Sequence, residues 1–343
     1  MFRMSPIARL AALGPALTLA LTMALTLALG ACTTLGVSPQ PTTSLIRHVF
    51  DREAIKTNAA LASRAPTNVQ VRPDLAYDPS DPSVALDLYL PPDHRPDRPP
   101  PVVVWVHGGA WVSGDKAYVA NYLKLLAAQG YAVAAVGYTV APQARYPTPV
   151  IQTNRALAWL DANAAALGID RNRIFLAGDS AGAQIAGQTA NLITSPAYAR
   201  DMGLSPALRP SQLRGVILYC GVYDAAAMKA QGALGGFIRS VLWSYLDRRD
   251  FEADPGLAQM SVTDHLTPAF PPAFISVGDK DPLAAQSLRL AETATGLGVP
   301  VDALFFSPEH QPGLGHEYQF DLSTAAGEQA LSRSLDFLKR RSR

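Results

Sequence analysis

The stretch FLAGDSAGAQIAG, residues 175–187, joins the end of an apolar run to the start of a helical pattern. Within it, Gly178-Asp179-Ser180-Ala181-Gly182 has the spacing G-x-S-x-G, and it follows RIFLA directly, where a strand-to-helix turn exposes a serine at the edge of a sheet. Such a turn is tight, so the residues two before and two after the serine crowd its backbone, and glycine has a steric reason at both. A helix starting at Ala181 aims free N–H groups and its positive end at Ser180, which suits an anion forming beside that hydroxyl. The same five residues also describe an ordinary βα turn. The choice depends on what the rest of the chain supplies.

Serine at its free pKa is a poor nucleophile and needs a histidine base, a carboxylate to orient the base, and donors for the oxyanion. Residues 106–111, VHGGAW, end an apolar run with His107-Gly108-Gly109, and glycine lets backbone N–H groups approach a substrate closely. The expected donors are the N–H groups of Gly108, Gly109 and Ala181. AFISVGDKDPLAAQ carries Asp279 and Asp281 just beyond another apolar run. After the last apolar run, VDALFFS, come His310 and His316, the latter within GLGHEYQF. Of the six histidines, His48, His94 and His265 stand without partners in sequence and read as surface residues.

Together HGGAW and GDSAG resemble the hormone-sensitive-lipase-like esterases of the α/β-hydrolase fold, over roughly residues 70–340. The resemblance implies Asp281 as the acid, since the family pattern ends D-P-L, and His316 as the base, at the glycine-rich loop before the final helix. It assigns His107 to loop support. The chain departs from the family at Ala110, where a third glycine is common, and after D-P-L, where AAQ replaces the usual acidic residues. The implied reaction is hydrolysis of small to medium acyl or aryl esters through an acyl-enzyme on Ser180, in the order Ser180, Asp281, His316. Amide hydrolysis uses the same parts and stays open as an alternative, as does a non-catalytic binding protein on the same fold.

The remaining runs fit that fold. VRPDLAYD and VALDLYLPPD alternate apolar and polar residues, the pattern of half-exposed antiparallel strands. PVVVWVHGG, YAVAAVGY, RIFLAGDS, GVILYCG, AFISVGD and VDALFF are apolar on both faces, as strands buried in a parallel sheet are. Helical patterns separate them, with Gly130 and Gly168 at C-cap positions. The expected architecture is a mostly parallel sheet with helices on both faces. Residues 222–270 hold a helix candidate, LGGFIRSVLWSYLDRR, long enough to be a cap insertion.

The first 31 residues read as a lipoprotein signal peptide, with a plain secretory signal or an uncleaved transmembrane anchor over residues 10–29 as alternatives, although no basic stop-transfer cluster follows. A short basic start with Arg3 and Arg9 precedes an apolar stretch, and no further charge occurs before Arg47. LGAC, residues 29–32, resembles a bacterial lipobox. This implies export, lipidation at Cys32 and attachment to a membrane by acyl chains. The spacer TTLGVSPQPTTS then reads as a flexible tether, so that 32–65 is an N-terminal segment and 66–343 the catalytic domain. Cys220 is left without a partner and reads as a buried core residue. With Lys+Arg at 29 and Asp+Glu at 28 there is no basic excess to bind nucleic acid. No cysteine or histidine-carboxylate cluster has metal-ligand spacing, and neither metal nor cofactor is expected.

Overall fold

Val102–Val106 are fully buried on both sides, and the same holds for Ala132–Val136 and Ile174–Asp179, so these runs take the interior of the sheet. The computed structural model describes residues 38–343; the signal, Cys32 and the first part of the spacer lie outside the described residues. The strands are β1 (Gln70–Ala76), β2 (Ala85–Leu90), β3 (Val102–Val106), β4 (Ala132–Val136), β5 (Ile174–Asp179), β6 (Leu213–Tyr219), β7 (Ala273–Ser276) and β8 (Val301–Leu304). They form one eight-stranded sheet in the order β1-β2-β4-β3-β5-β6-β7-β8. β2 runs antiparallel to β1 and β4, and the other neighbours are parallel. Every strand read from the sequence is present; of the two alternating runs, β1 is the exposed antiparallel edge, whereas β2, expected to be half exposed, is buried from Leu86 to Leu90 because β1 and β4 flank it.

The helices are α1 (Gln40–Ala60), α2 (Ala120–Ala127), α3 (Thr148–Leu167), α4 (Ser180–Thr194), α5 (Pro196–Asp201), α6 (Gly235–Leu246), α7 (Pro255–Gln259), α8 (Ala284–Gly296) and α9 (Ala325–Arg341). Side chains alternate across β3. Val102, Val104 and Val106 join the layer containing Ile46 of α1, Leu157 of α3, Ile185 of α4 and Leu242 of α6. Val103 and Trp105 join Leu123 of α2 and Phe337 of α9 on the opposite face. Gly168 ends α3 at φ 68, and its N–H caps the carbonyls of Ala164 and Ala165. Glycine adopts that left-handed backbone without steric cost.

The tether reading does not hold from Gln40 onward, because α1 begins there. Pro41 stands in the first helical turn, where a missing N–H costs nothing. Thr42, Thr43 and Ile46 are buried, and the Phe50 ring lies 5.8 Å from Phe237 of α6. The folded unit therefore extends to residue 40 rather than starting at 66. Proline, serine and threonine in the spacer describe a helix start as well as a linker, and only tertiary packing distinguishes them. The insertion 222–270 carries α6, whose Tyr245 ring stacks on Trp111 at 5.1 Å and 7°. It packs between α1 and the loop after β3.

Candidate active site

Register places the ends of the central strands together. Val106 pairs with Gly178, Asp179 with Tyr219, and Tyr219 with Ser276, so His107, Ser180, Cys220 and Val277 emerge at one edge. Ser180 is at φ 51, a left-handed backbone for a residue with a side chain. That conformation costs about 1–3 kcal/mol and persists only where the surroundings enforce it. The flanking glycines show how. A Cβ on Gly182 would lie 2.0 Å from the Val106 carbonyl oxygen, and one on Gly178 would lie 2.6 Å from Gly182. A side chain at Gly182 would push α4 away from the end of β3, and one at Gly178 would push α4 away from β5.

The three residues expected as nucleophile, base and acid meet. His316 Nε2 lies 3.0 Å from Ser180 Oγ, and His316 Nδ1 lies 2.8 Å from Asp281 Oδ2. A carboxylate only accepts, so Nδ1–H donates to Asp281 and Nε2 is left to accept from the serine hydroxyl. The Asp281 side chain is buried, and its Oδ1 accepts from the Leu283 N–H at 2.7 Å. Burial works against charge on His316, while the Asp281 carboxylate bonded to Nδ1 favours it. Burial itself pushes the Cys220 thiol up to about 11. The thiol is thus uncharged at neutral pH, and Asp281 is the carboxylate in hydrogen-bonding distance of His316.

The other sequence candidates sort plainly. Asp279 is not part of the triad; its Oδ1 accepts the Leu314 N–H at 2.8 Å and so ties the turn after β7 to the loop that carries His316. His310 packs its ring 4.8 Å from Phe306. His107 is buried, stacks on Tyr138 at 4.2 Å and approaches the Gly108 carbonyl with Nδ1 at 2.8 Å. Burial lowers its pKa, which keeps it neutral in its loop-supporting place. His94 meets the Gly168 carbonyl at 2.9 Å and His265 that of Ala258 at 3.1 Å, so both fasten backbone. His48 is exposed. Cys220 is buried as expected, but its sulfur lies within 4.8 Å of ligand atoms of both Asp281 and His316, a proximity that linear spacing does not reveal.

One donor expected from the sequence is otherwise engaged. The Gly108 N–H donates to Asp179 Oδ2 at 2.8 Å and points into the protein. Beyond it, Gly109, Ala110 and Trp111 have φ of 114, 52 and 59, which turn the chain back on itself. Among the described residues no acceptor takes the N–H of Gly109 or Ala110. Ala181, in the first turn of α4, likewise has no carbonyl one turn before it to bond. Among the described residues Gly109, Ala110 and Ala181 thus keep N–H groups without a protein acceptor, whereas Gly108 does not. Which way an N–H points is a backbone property set here by the Asp179 carboxylate, and the local sequence carries no signal of it.

Sequence reasoning also passed over Asp179 and Glu317. Asp179 Oδ1 accepts from the Trp105 indole at 2.7 Å while Oδ2 holds Gly108, so the residue before Ser180 locks the glycine loop to the turn. Burial and then Glu317 push Asp179 up to about 8. Glu317 is at φ 58, and Oε1 lies 3.8 Å from His316 Nε2.

Fold and site define a class, an α/β-hydrolase whose serine, histidine and aspartate are within hydrogen-bonding distance. The BD-FAE family model, that of an α/β-hydrolase esterase family, matches residues 86–293, and the chain belongs to this family. It is 32% identical over 277 residues to the carboxylesterase NlhH of Mycobacterium tuberculosis, spanning 75% of this chain and 78% of that protein. With the esterase LipQ of the same organism it shares 27% identity over 272 residues, which is 77% of this chain but only 61% of LipQ. Among solved structures, an inhibited esterase B from Lactobacillus rhamnosis superposes with a TM-score of 0.72 at 25% identity, covering 87% of this chain and 96% of the other.

Proposed function

We propose that the protein hydrolyses small to medium acyl or aryl carboxylic esters through an acyl-enzyme on Ser180. The observation that carries this reading is the continuous contact from Ser180 Oγ to His316 Nε2 at 3.0 Å and from His316 Nδ1 to Asp281 Oδ2 at 2.8 Å. His316 takes the hydroxyl proton as Oγ attacks the carbonyl carbon, and Asp281 stabilises the imidazolium. The carbonyl oxygen gains negative charge and is received by the N–H groups of Gly109, Ala110 and Ala181. Collapse expels the alkoxide, which leaves with the proton from His316. Water then repeats the sequence on the acyl-enzyme and frees the acid. Membership of an esterase family, and relatives named as esterases, support ester rather than amide bonds as the target. Rates on matched aryl esters, formanilides and peptides check this: ester turnover is expected to exceed amide turnover, and the reverse order would assign the protein to amide hydrolysis.

Lipidation at Cys32 is the second part of the reading, supported by the LGAC stretch and the uncharged segment before it. Two or more acyl chains hold a protein stably on a bilayer, at roughly 0.8 kcal/mol per buried CH₂. In the full-length chain expressed in a bacterium, Cys32→Ala is expected to abolish incorporation of labelled palmitate and loss of the signal by the lipoprotein route. A mature, membrane-bound, labelled C32A chain would refute attachment at that residue.

A further inference from the structure

The glycine loop after β3 is held in a costly shape from a side that the reaction does not touch. Gly109, Ala110, Trp111 and Gly114 all have φ between 52 and 114, and two of these four carry side chains. Such a backbone persists only where neighbours over-determine it. Some constraints are internal: the Val112 and Ser113 N–H groups and the Ser113 hydroxyl all donate to the Gly109 carbonyl, at 3.1, 2.9 and 2.9 Å. Asp179 holds Gly108 from below, Tyr138 donates to the His107 carbonyl at 2.9 Å, and Gln184 accepts from the Trp111 indole at 3.0 Å. The far end is held by α1, which lies before the region matched by the family model.

Arg47 Nε donates to the Val112 carbonyl at 2.6 Å, and its Nη2 donates to the Ala141 carbonyl at 2.5 Å and to Gln143 Oε1 at 3.0 Å. Asp51 Oδ1 accepts from the Gly114 N–H at 3.0 Å. The two residues are four apart and share one face of α1. They take hold of the loop at points two residues apart, one at a carbonyl and one at an N–H, which opposes both its unwinding and its rotation. Charge is spent here on uncharged backbone groups, where hydrogen bonds are stronger than between neutral partners. A helix that merely covered the core would need only Ile46 and its apolar neighbours.

We infer that Arg47 and Asp51 are positioning residues for the reaction, fixing from α1 the backbone whose Gly109 and Ala110 N–H groups receive the oxyanion. The inference rests on the ester-hydrolysis reading above. It predicts that their loss lowers kcat with little change in KM, because the donors act on charge that develops in the transition state.

The test uses the full chain carrying Arg47→Met, Arg47→Lys, Asp51→Ala and Asp51→Asn, with His48→Ala on the exposed face of α1 as control. Three quantities are read: kcat and KM on a p-nitrophenyl ester, the thermal midpoint, and hydrogen exchange of the amides of residues 108–114. R47M and D51A are expected to lose about 10- to 100-fold in kcat, with KM within about twofold. Exchange in the loop should rise by about tenfold or more while the sheet stays protected. D51N keeps an acceptor for Gly114 and should restore most of kcat; R47K, with one compact donor group, should be intermediate. Should R47M fail to fold, the contrast between D51A and D51N decides the matter. Unchanged kcat and loop exchange in folded R47M or D51A would overturn the inference, as would equal losses in D51A and D51N. A wild-type chain inert towards esters would refute the functional reading instead, and loop exchange would still decide whether α1 holds the loop.

Discussion

Ser180→Ala is expected to lower kcat on a p-nitrophenyl ester by about 10⁶-fold while KM changes little, with the thermal midpoint preserved or raised. The size follows from what remains when Oγ is removed. His316 and Asp281 stay in place, but His316 has no proton to take and the carbonyl carbon no nucleophile other than water. The oxyanion donors persist and leave about 10³–10⁴ over the uncatalysed reaction. Stability is expected to hold because Ser180 contributes strain rather than packing: its φ of 51 is imposed by the approach of Gly182 to the Val106 and His107 carbonyls. Alanine suffers the same backbone cost, so relief is small and loss is unexpected. A rate falling less than tenfold would place the nucleophile elsewhere.

The second large effect is at Asp281. Asp281→Asn preserves shape and the acceptor for the Leu283 N–H, which Oδ1 holds at 2.7 Å. An amide NH₂ turned towards His316 Nδ1 would favour the tautomer with the proton on Nε2, and that nitrogen would then no longer accept from Ser180. A fall of about 10⁴-fold in kcat is expected from this change of tautomer. The pH profile should move with a definite sign. Activity needs neutral His316, so kcat/KM rises with pH through the pKa of that residue. In the wild type, burial lowers that pKa and the Asp281 carboxylate, bonded to Nδ1, raises it. Without the Asp281 carboxylate, burial acts with less opposition, and the limb of the residual activity should shift to lower pH. A limb that stays in place in Asp281→Asn would show that another group sets the charge of His316.

These expectations rest on residues that were legible from sequence to different degrees. Ser180 could be read because its turn demands glycine at fixed offsets and a strand and helix on either side. That an acid and a base follow the last two apolar runs could be read from the strand pattern, whereas the choice of Asp281 over Asp279 and of His316 over His310 came from the family resemblance. The exchange of Gly108 for Ala110 could not be read, since it depends on the Asp179 carboxylate capturing one N–H across two strands, and local sequence does not encode that contact. Helix α1 was obscured for a related reason. Its start, QPTTS, has a linker's composition, and its apolar face is weak until α6 and the glycine loop are folded against it. Arg47 is equally silent in sequence, because its partners are carbonyls of residues more than sixty positions away.

The central claim is that Ser180 is a nucleophile activated by His316, and covalent trapping addresses it most directly. The full domain is treated with a p-nitrophenyl alkylphosphonate, whose tetrahedral adduct stands in for the oxyanion intermediate, and its intact mass and labelled peptide are measured. One alkylphosphonyl group per chain on Ser180 is predicted, formed slowly or not at all in His316→Ala and absent in Ser180→Ala. An adduct mapping to another residue, or the same yield in Ser180→Ala, would contradict the account.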